Sequence, residues 1–498
     1  MGHTRVYSHD EFTTSDGGVL GGCTVKALVH PSAWPDRARE WMLLSALVLG
    51  SATIIYHGYG QPLAVALLGF CFLTLGVVNA RLAIMVLLTY GFFNGEVRRL
   101  VNSIYGWPAI DPLLLLVPVV AIIFGLSVLL RDKVDTPLSR LVLVLIGLMG
   151  LEIFNPLQGG IRVGLGGAFF YIPPLMFFWL GRRYATPTFI ERLLYHLVLP
   201  IAVLAAIAGY MQTFFGFAPW EQAWIKHVVA SYAALNVGGY IRPFAFFTSS
   251  AGYAAFLSIG SAIALAGLWL GHRRAAVALL PLLPALFMAS ERSTIVKLLV
   301  AGLVVWALQR GGGKGWYMRV MLAGFVTVGL LAFTLPHLMP SHSDSGRIDA
   351  LVAHQVGGLA NPLNSKESTL MIHLDLLGQG MLSGFIHPYG YGLGAGTGAA
   401  GKFATGGTEG KSTETDFCNM FVNLGFVGGI IYLVIMVRVL WALISDWQRR
   451  RQRVSLIILA VLLVTLAAWL SAGQYSNPLL LWLLIGATDS MTRKQEQT

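Results

Sequence analysis

Runs of about 12 to 27 predominantly apolar residues alternate with shorter polar connections along most of the chain. A helix needs about 20 residues to cross a hydrocarbon core about 30 Å thick, so most of these runs are long enough to span a bilayer. Backbone polar groups cannot stay unpaired in lipid, and the dyad alternation of a barrel strand is absent, so the spans are expected to be α-helices. The pattern places about fourteen, near residues 42–56, 62–78, 82–93, 112–130, 141–154, 165–180, 193–215, 250–270, 275–289, 294–308, 320–336, 417–444, 454–471 and 478–487. The 82–93 run is the shortest fit, only about 18 Å long at 1.5 Å per residue.

Every second connection is basic: Arg131, Lys133 and Arg140; Arg182, Arg183 and Arg192; Arg273 and Arg274; Arg310, Lys314 and Arg319; Arg449, Arg450, Arg451 and Arg453. The positive-inside rule assigns these to the cytoplasm. The interleaved connections, 155–164, 216–247, 290–293 and 338–416, then face outside. Arg98 and Arg99 break the rule, because this scheme puts them outside. The expected organisation is a polar cytoplasmic tail (1–40), a first helical half (41–215), helices carrying two outer arginines (216–337), a long extracytoplasmic loop (338–416) and C-terminal helices with a cytoplasmic tail (417–498). Both termini fall on the cytoplasmic side, and the absence of an apolar stretch in the first forty residues makes the first span an uncleaved anchor.

Composition agrees with a lipid-embedded chain: of 498 residues 56% are hydrophobic and 11% charged, against roughly 25% charged in a soluble domain. The net charge of +11 would otherwise raise nucleic acid as a partner. Here it resides in the alternating connections, so no nucleic-acid partner is expected. Cys23, Cys71 and Cys418 are scattered without metal-ligand spacing, which argues against a disulfide framework and against zinc. No repeat of paired interrupted helices is visible, which weighs against a secondary transporter.

Candidate chemistry lies on the outer side. Arg242 and Arg292 stand at the outer ends of adjacent spans, where a guanidinium suits bidentate phosphate recognition; the alternative is snorkelling to headgroups, or for Arg292 pairing with Glu291. The outer loop of roughly eighty residues holds Arg347, His354, Lys366, Glu367, His373, His387 and Glu414, with Asp416 at its end. Such long loops are functional or disordered, and apolar stretches such as 370–377 predict short helices at the membrane surface within an ordered cap. The run Gly392-Leu-Gly-Ala-Gly-Thr-Gly398 lacks the Lys-Ser/Thr and the preceding strand of a nucleotide loop, so flexible backbone or close packing is its expected use.

The order Arg242-Pro-Phe-Ala-Phe-Phe, Ser290-Glu-Arg-Ser-Thr, then His387-Pro-Tyr-Gly-Tyr-Gly-Leu-Gly394 and Glu414-Thr415 eleven residues before Gly425-Phe-Val-Gly428 resembles the O-antigen ligase and polymerase superfamily. The likeness covers roughly residues 241–430, and an Asn155-Pro156 turn is similar to one in exopolysaccharide polymerases. The resemblance implies an all-α, polytopic fold of the membrane glycosyltransferase C type in a bacterial inner membrane. It implies a glycan transferred from undecaprenyl pyrophosphate to a sugar hydroxyl at the periplasmic face, with no cofactor, nucleotide sugar or metal. Arg242 and Arg292 match the family's pyrophosphate-contacting arginines, and Glu414 stands where ligases carry a histidine, which is more similar to a polymerase of the Wzy type. Arg347, His373, His387 and Asp416 are further candidate substrate contacts. The partners implied are undecaprenyl-pyrophosphate-linked oligosaccharides and membrane lipid, with a flippase and a chain-length regulator alongside. A ligase passing polymer to lipid A core and, from another class, a lipid-linked oligosaccharide flippase are the competing readings.

Overall fold

The structure is a computed structural model that describes residues 61–108, 111–228, 236–237, 240–311, 370–404, 413, 415–471 and 476–496, together with Met42, Ser45 and Ala46. The expected tail, the expected span at 320–336 and almost all of that at 42–56 lie outside the described residues, as do Arg347 and Glu414.

The described chain is mostly helical, with connecting loops and a single two-residue antiparallel pairing among the described residues, β1 (Asn236–Val237) with β2 (Tyr240–Ile241). The helices are α1 (Gln61–Val78), α2 (Ala80–Tyr105), α3 (Pro112–Leu129), α4 (Pro137–Glu152), α5 (Ile161–Tyr184), α6 (Pro187–Leu193), α7 (Leu199–Phe214), α8 (Pro219–Val228), α9 (Ser250–Trp269), α10 (Arg273–Ala276), α11 (Leu279–Met288), α12 (Arg292–Arg310), α13 (Leu370–Ile386), α14 (Gly398–Phe403), α15 (Asp416–Arg450), α16 (Arg453–Val464) and α17 (Asn477–Glu496). A π-helical turn, Leu194–Val198, joins α6 to α7. The expected spans inside the described residues are largely helix, except that the one at 275–289 is divided between α10 and α11 and the one at 454–471 is helical only to Val464 before turning. Six stretches among them are long and apolar enough to cross a membrane by length and composition: α3, α5, α6 continued through α7, α9, α12 and α15. The protein is thus an all-α membrane protein in its described part.

Several starts are written locally. Asp111 and Thr136 accept from backbone N–H groups at the heads of α3 and α4, each followed by a proline whose missing N–H costs nothing there. The centre of the bundle is the crossing of α5 and α17. A Cβ added at Gly181 would lie 2.0 Å from the Leu483 carbonyl oxygen, and one at Gly486 would lie 1.9 Å from that of Phe178. Glycine is therefore what lets the two backbones meet. Around this crossing Trp179, Trp469, Trp482 and the run Leu479 to Ile485 are fully buried. On the periphery Val427, Ile430, Val434, Val437 and Trp441 of α15 are exposed at helical spacing, the stripe expected to face lipid.

The helix containing 82–93 corrects the sequence reading. α2 runs for 26 residues, about 39 Å, because its polar second half is internally paired. Arg98 binds Asp111 at 2.6 Å, Arg99 binds Glu96 at 2.6 Å, and Arg99 is buried.

The basic connections gather at one end of the bundle. Arg182 meets Asp132 at 3.2 Å, Asp489 at 2.9 Å and Asp135, while Arg493 meets Asp135 at 2.7 Å. Arg451 donates to the Leu308 carbonyl. At the opposite end the 388–396 loop lies against the α4–α5 connection and the first half of α15, and Asn477 donates to the carbonyl of Gly252 near the head of α9.

Candidate functional site

The Arg242–Phe247 segment leads from β2 to α9, and its apolar part, from Pro243 to Phe247, is buried. A buried segment without regular structure must find partners for its peptide groups. Gln212 of α7 accepts from the N–H groups of Phe244 and Ala245, at 2.9 and 2.8 Å. Arg99 of α2 donates to the carbonyls of Ala245 and Phe247, both at 2.7 Å, and its guanidinium lies 4.7 Å from the centre of the Phe244 ring. Glu96 takes Arg99 on one oxygen and the Trp220 indole N–H, at 2.6 Å, on the other. A Cβ at Gly95 would lie 2.5 Å from the Phe247 backbone, so α2 docks here only with glycine.

The clamp fixes where Arg242 leaves the backbone. Its Nε and Nη2 donate to the Ala289 carbonyl at 3.0 and 2.8 Å. Ala289 closes α11, Ser290 adopts a left-handed φ of 60°, and Glu291 and Arg292 open α12. Burial lowers the basicity of Arg242, and the Glu291 carboxylate opposes that effect. The Ala289 carbonyl lies three residues before Arg292, so the bond carries Arg242 to the head of α12. Two like charges therefore stand together at a helix N-terminus, where the macrodipole already disfavours a cation. Both arginines and the helix N-terminus favour an anion there, while the Glu291 carboxylate offsets part of that field.

The run beginning at His387 is a packing device; of the two uses expected for Gly392–Gly398, flexible backbone or close packing, Gly392, Gly394 and Gly396 serve the second. Tyr391 and Gly392 donate to the carbonyls of Val422 and Asn423 at 2.8 and 3.2 Å, Phe426 donates to Pro388 at 3.1 Å, and Leu393 donates to Glu152 at 3.1 Å. Gly394 and Gly396 donate to the side chains of Gln158 and Asn423. Asn155 of the Asn155-Pro156 turn donates to the Gly390 carbonyl at 3.3 Å. Cβ atoms at Gly390, Gly392 and Gly394 would each fall within 2.7 Å of a neighbouring oxygen, and Gly425, at φ 68°, would place one 2.0 Å from the Pro388 oxygen.

The expected short helix at 370–377 is the first part of the 17-residue α13, which packs on α15 and exposes Met371, Ile372, Leu374, Leu382, Phe385 and Ile386. His373, on its first turns, is half-buried; His387, just past its end, is also half-buried, with its ring 4.3 Å from that of Tyr391. Asp416 departs from the expected role. It is 0% exposed, accepts from the Leu470 N–H at 2.5 Å and the Tyr432 hydroxyl at 3.2 Å, and donates its own N–H to Ala467. It anchors the head of α15 to the 467–470 turn, so in this arrangement its carboxylate is a structural acceptor rather than an open substrate contact.

The structure thus ties Arg242 to Ala289, three residues before Arg292, and places His387 and Asp416 in the separate packing of the α15 head. Sequence reasoning did not identify Arg99, Glu96, Gln212 or Trp220 as the frame of the arginine segment. The one signal was Arg98-Arg99 on the wrong side by the positive-inside rule. Among the described residues no group of three or more His, Cys, Asp or Glu could hold a metal ion. No protein-family model and no curated protein matches the chain.

Proposed function

We propose that the protein is a metal-independent glycosyltransferase of the polysaccharide polymerase kind. It moves a growing glycan from undecaprenyl pyrophosphate onto the next lipid-linked repeat unit at the extracytoplasmic face of a bacterial inner membrane. The observation that carries the reading is the Arg242–Arg292 pair. A pyrophosphate gains negative charge as its bond to the anomeric carbon breaks, and cations held in place beforehand stabilise that charge without reorganising. The clamp on residues 244–247 and the paired bonds to the Ala289 carbonyl supply such holding.

In the proposed step an acceptor hydroxyl oxygen forms a bond to the anomeric carbon, the carbon–oxygen bond to the pyrophosphate breaks, and the configuration inverts. The hydroxyl proton passes to Glu414, and the electron pair leaves with undecaprenyl pyrophosphate between the arginines. A full complement of about fourteen spans and the membrane glycosyltransferase C fold belong to the same proposal, as do a flippase and a chain-length regulator acting beside it.

The test uses purified protein and a lipid-linked repeat, with the product ladder as readout. Arg242→Lys and Arg292→Lys each keep a positive charge but lose the planar fork, and each is expected to lose most of the activity while remaining inserted and folded. A normal ladder from the double variant would overturn the assignment.

A further inference from the structure

At the basic end a cavity of about 760 Å³ opens between the α6–π–α7 turn and the α9–α10 connection. Arg192, Arg273 and Arg274 line it with His196 and His272, against one acidic residue, Glu191. The three arginines and both histidines are exposed to solvent at its walls. The π turn shapes one wall. Leu199 donates to Leu194, one residue further than in an α-helix, and such turns recur where a helix is bent to serve a site. Tyr195, on this turn, has its ring 5.4 Å from that of His272 on the other wall, and its buried hydroxyl makes no hydrogen bond among the described residues. Gly271, at φ 88°, turns the chain between α9 and the two arginines.

What lies beyond the cavity decides between ligands of similar charge. α7 and α11 pack together and lead away from it, joined by the Tyr210 hydroxyl on the Pro281 carbonyl at 2.7 Å. Both carry exposed apolar side chains along that path: Leu204, Ile207 and Met211 on α7, and Val277, Leu280 and Leu283 at and along α11. A free anion would use the cations alone. A lipid would use both features, its phosphate among the guanidiniums and its acyl chains along the two helices.

We propose that this cavity is a binding site for the phosphodiester headgroup of an anionic glycerophospholipid, distinct from the arginine pair at the opposite end and independent of the reaction proposed there. Its role is to seat the α6–α7 and α9–α11 helices at the membrane surface that carries negative charge.

The experiment uses the full chain in neutral detergent, with native mass spectrometry counting bound phosphatidylglycerol, phosphatidylcholine as the neutral comparison and inorganic phosphate as competitor. One saturable phosphatidylglycerol site is expected, undisturbed by millimolar inorganic phosphate. Arg273→Gln with Arg274→Gln should weaken it roughly tenfold or more, and Arg192→Gln, from the opposite wall, should weaken it in the same direction. The charge-matched pair Arg140→Gln with Arg449→Gln, exposed arginines outside the cavity, should change it by less than about twofold. Equal loss in the two double variants would reduce the effect to diffuse surface charge. Displacement by inorganic phosphate, or equal binding of phosphatidylcholine, would likewise overturn the lipid site.

Discussion

Replacing Arg99 tests the frame of the arginine segment most severely. Its guanidinium serves three acceptors at once, the Glu96 carboxylate at 2.6 Å and the carbonyls of Ala245 and Phe247 at 2.7 Å, while 1% exposed. Arg99→Met leaves Glu96 with the Trp220 indole alone, the Ala245 carbonyl with only the Gln212 amide, and the buried Phe247 carbonyl without the donor it had. Removing one member of a fully buried pair costs about 3–5 kcal/mol, and the loss here is smaller because the Glu96 side chain is 23% exposed. Arg99→Lys keeps the charge, but one ammonium cannot reproduce the fork across all three acceptors, and each buried acceptor left unmet costs about 1–3 kcal/mol. Steric-trap unfolding of the protein in bicelles measures both losses directly, with Met expected to exceed Lys. Because the segment begins at Arg242, Arg99→Lys should also slow polymerisation while leaving insertion intact. If both variants unfolded within about 0.5 kcal/mol of the parent, the range of ordinary surface changes, the clamp would not be holding the segment.

Gly425→Ala places a Cβ 2.0 Å from the Pro388 oxygen at φ 68°, so backbone strain of about 1–3 kcal/mol plus the clash should prevent stable assembly in a thermal unfolding assay. Gly147→Ala, with open space around it, should be neutral or stabilising by up to about 1 kcal/mol. Asp416→Asn should cost about 1–3 kcal/mol of stability through its Leu470 and Tyr432 contacts, and a larger loss of rate than of stability would return it to the reaction. Burial raises the carboxyl of Glu221 above its ordinary value despite the Ala218 N–H, the Gln212 amide and the charge of Arg99. The folded state therefore binds this proton more tightly than the unfolded chain does. Stability should rise as pH falls through that raised value toward the ordinary range near 4.5, and Glu221→Gln should remove this increment from the pH profile.

The membrane helices were legible because lipid imposes one requirement on every span, a long apolar run, and most of the expected runs within the described residues are helix; the 454–471 run leaves the helix at Val464, and the turn that follows is held by Asp416. The length of α2 was not legible. Arg98 and Arg99 read as part of an outer connection, and only their three-dimensional partners, Asp111, Glu96 and the carbonyls of Ala245 and Phe247, show how a polar stretch continues a helix into the protein. The glycines of 392–398 allowed either flexible backbone or close packing, and nothing in them showed that the neighbours would be Gln158 and Asn423, residues far apart in the chain. That Arg242 and Arg292 belong to the same side followed from two spans ending there. The Ala289 carbonyl that orients Arg242 depends on the Ser290 left-handed turn, which no residue type there advertises. Asp416 read as a candidate contact because a carboxylate beside a long outer loop resembles a site residue; its burial against Leu470 depends on a turn more than fifty residues later.

The most direct test of the proposed reaction is to incubate the purified protein, in EDTA and without any nucleotide sugar, with a single undecaprenyl-pyrophosphate-linked repeat unit. The glycosidic linkage of the products is then read by NMR. The account predicts a ladder of polymer whose new linkages are inverted relative to the donor. Glu414→Gln should bind the lipid-linked substrate normally yet form the ladder on the order of 10²-fold or more slowly, as removal of a general base does. A ladder with retained configuration, or a Glu414→Gln protein that polymerises at the parent rate, would contradict it.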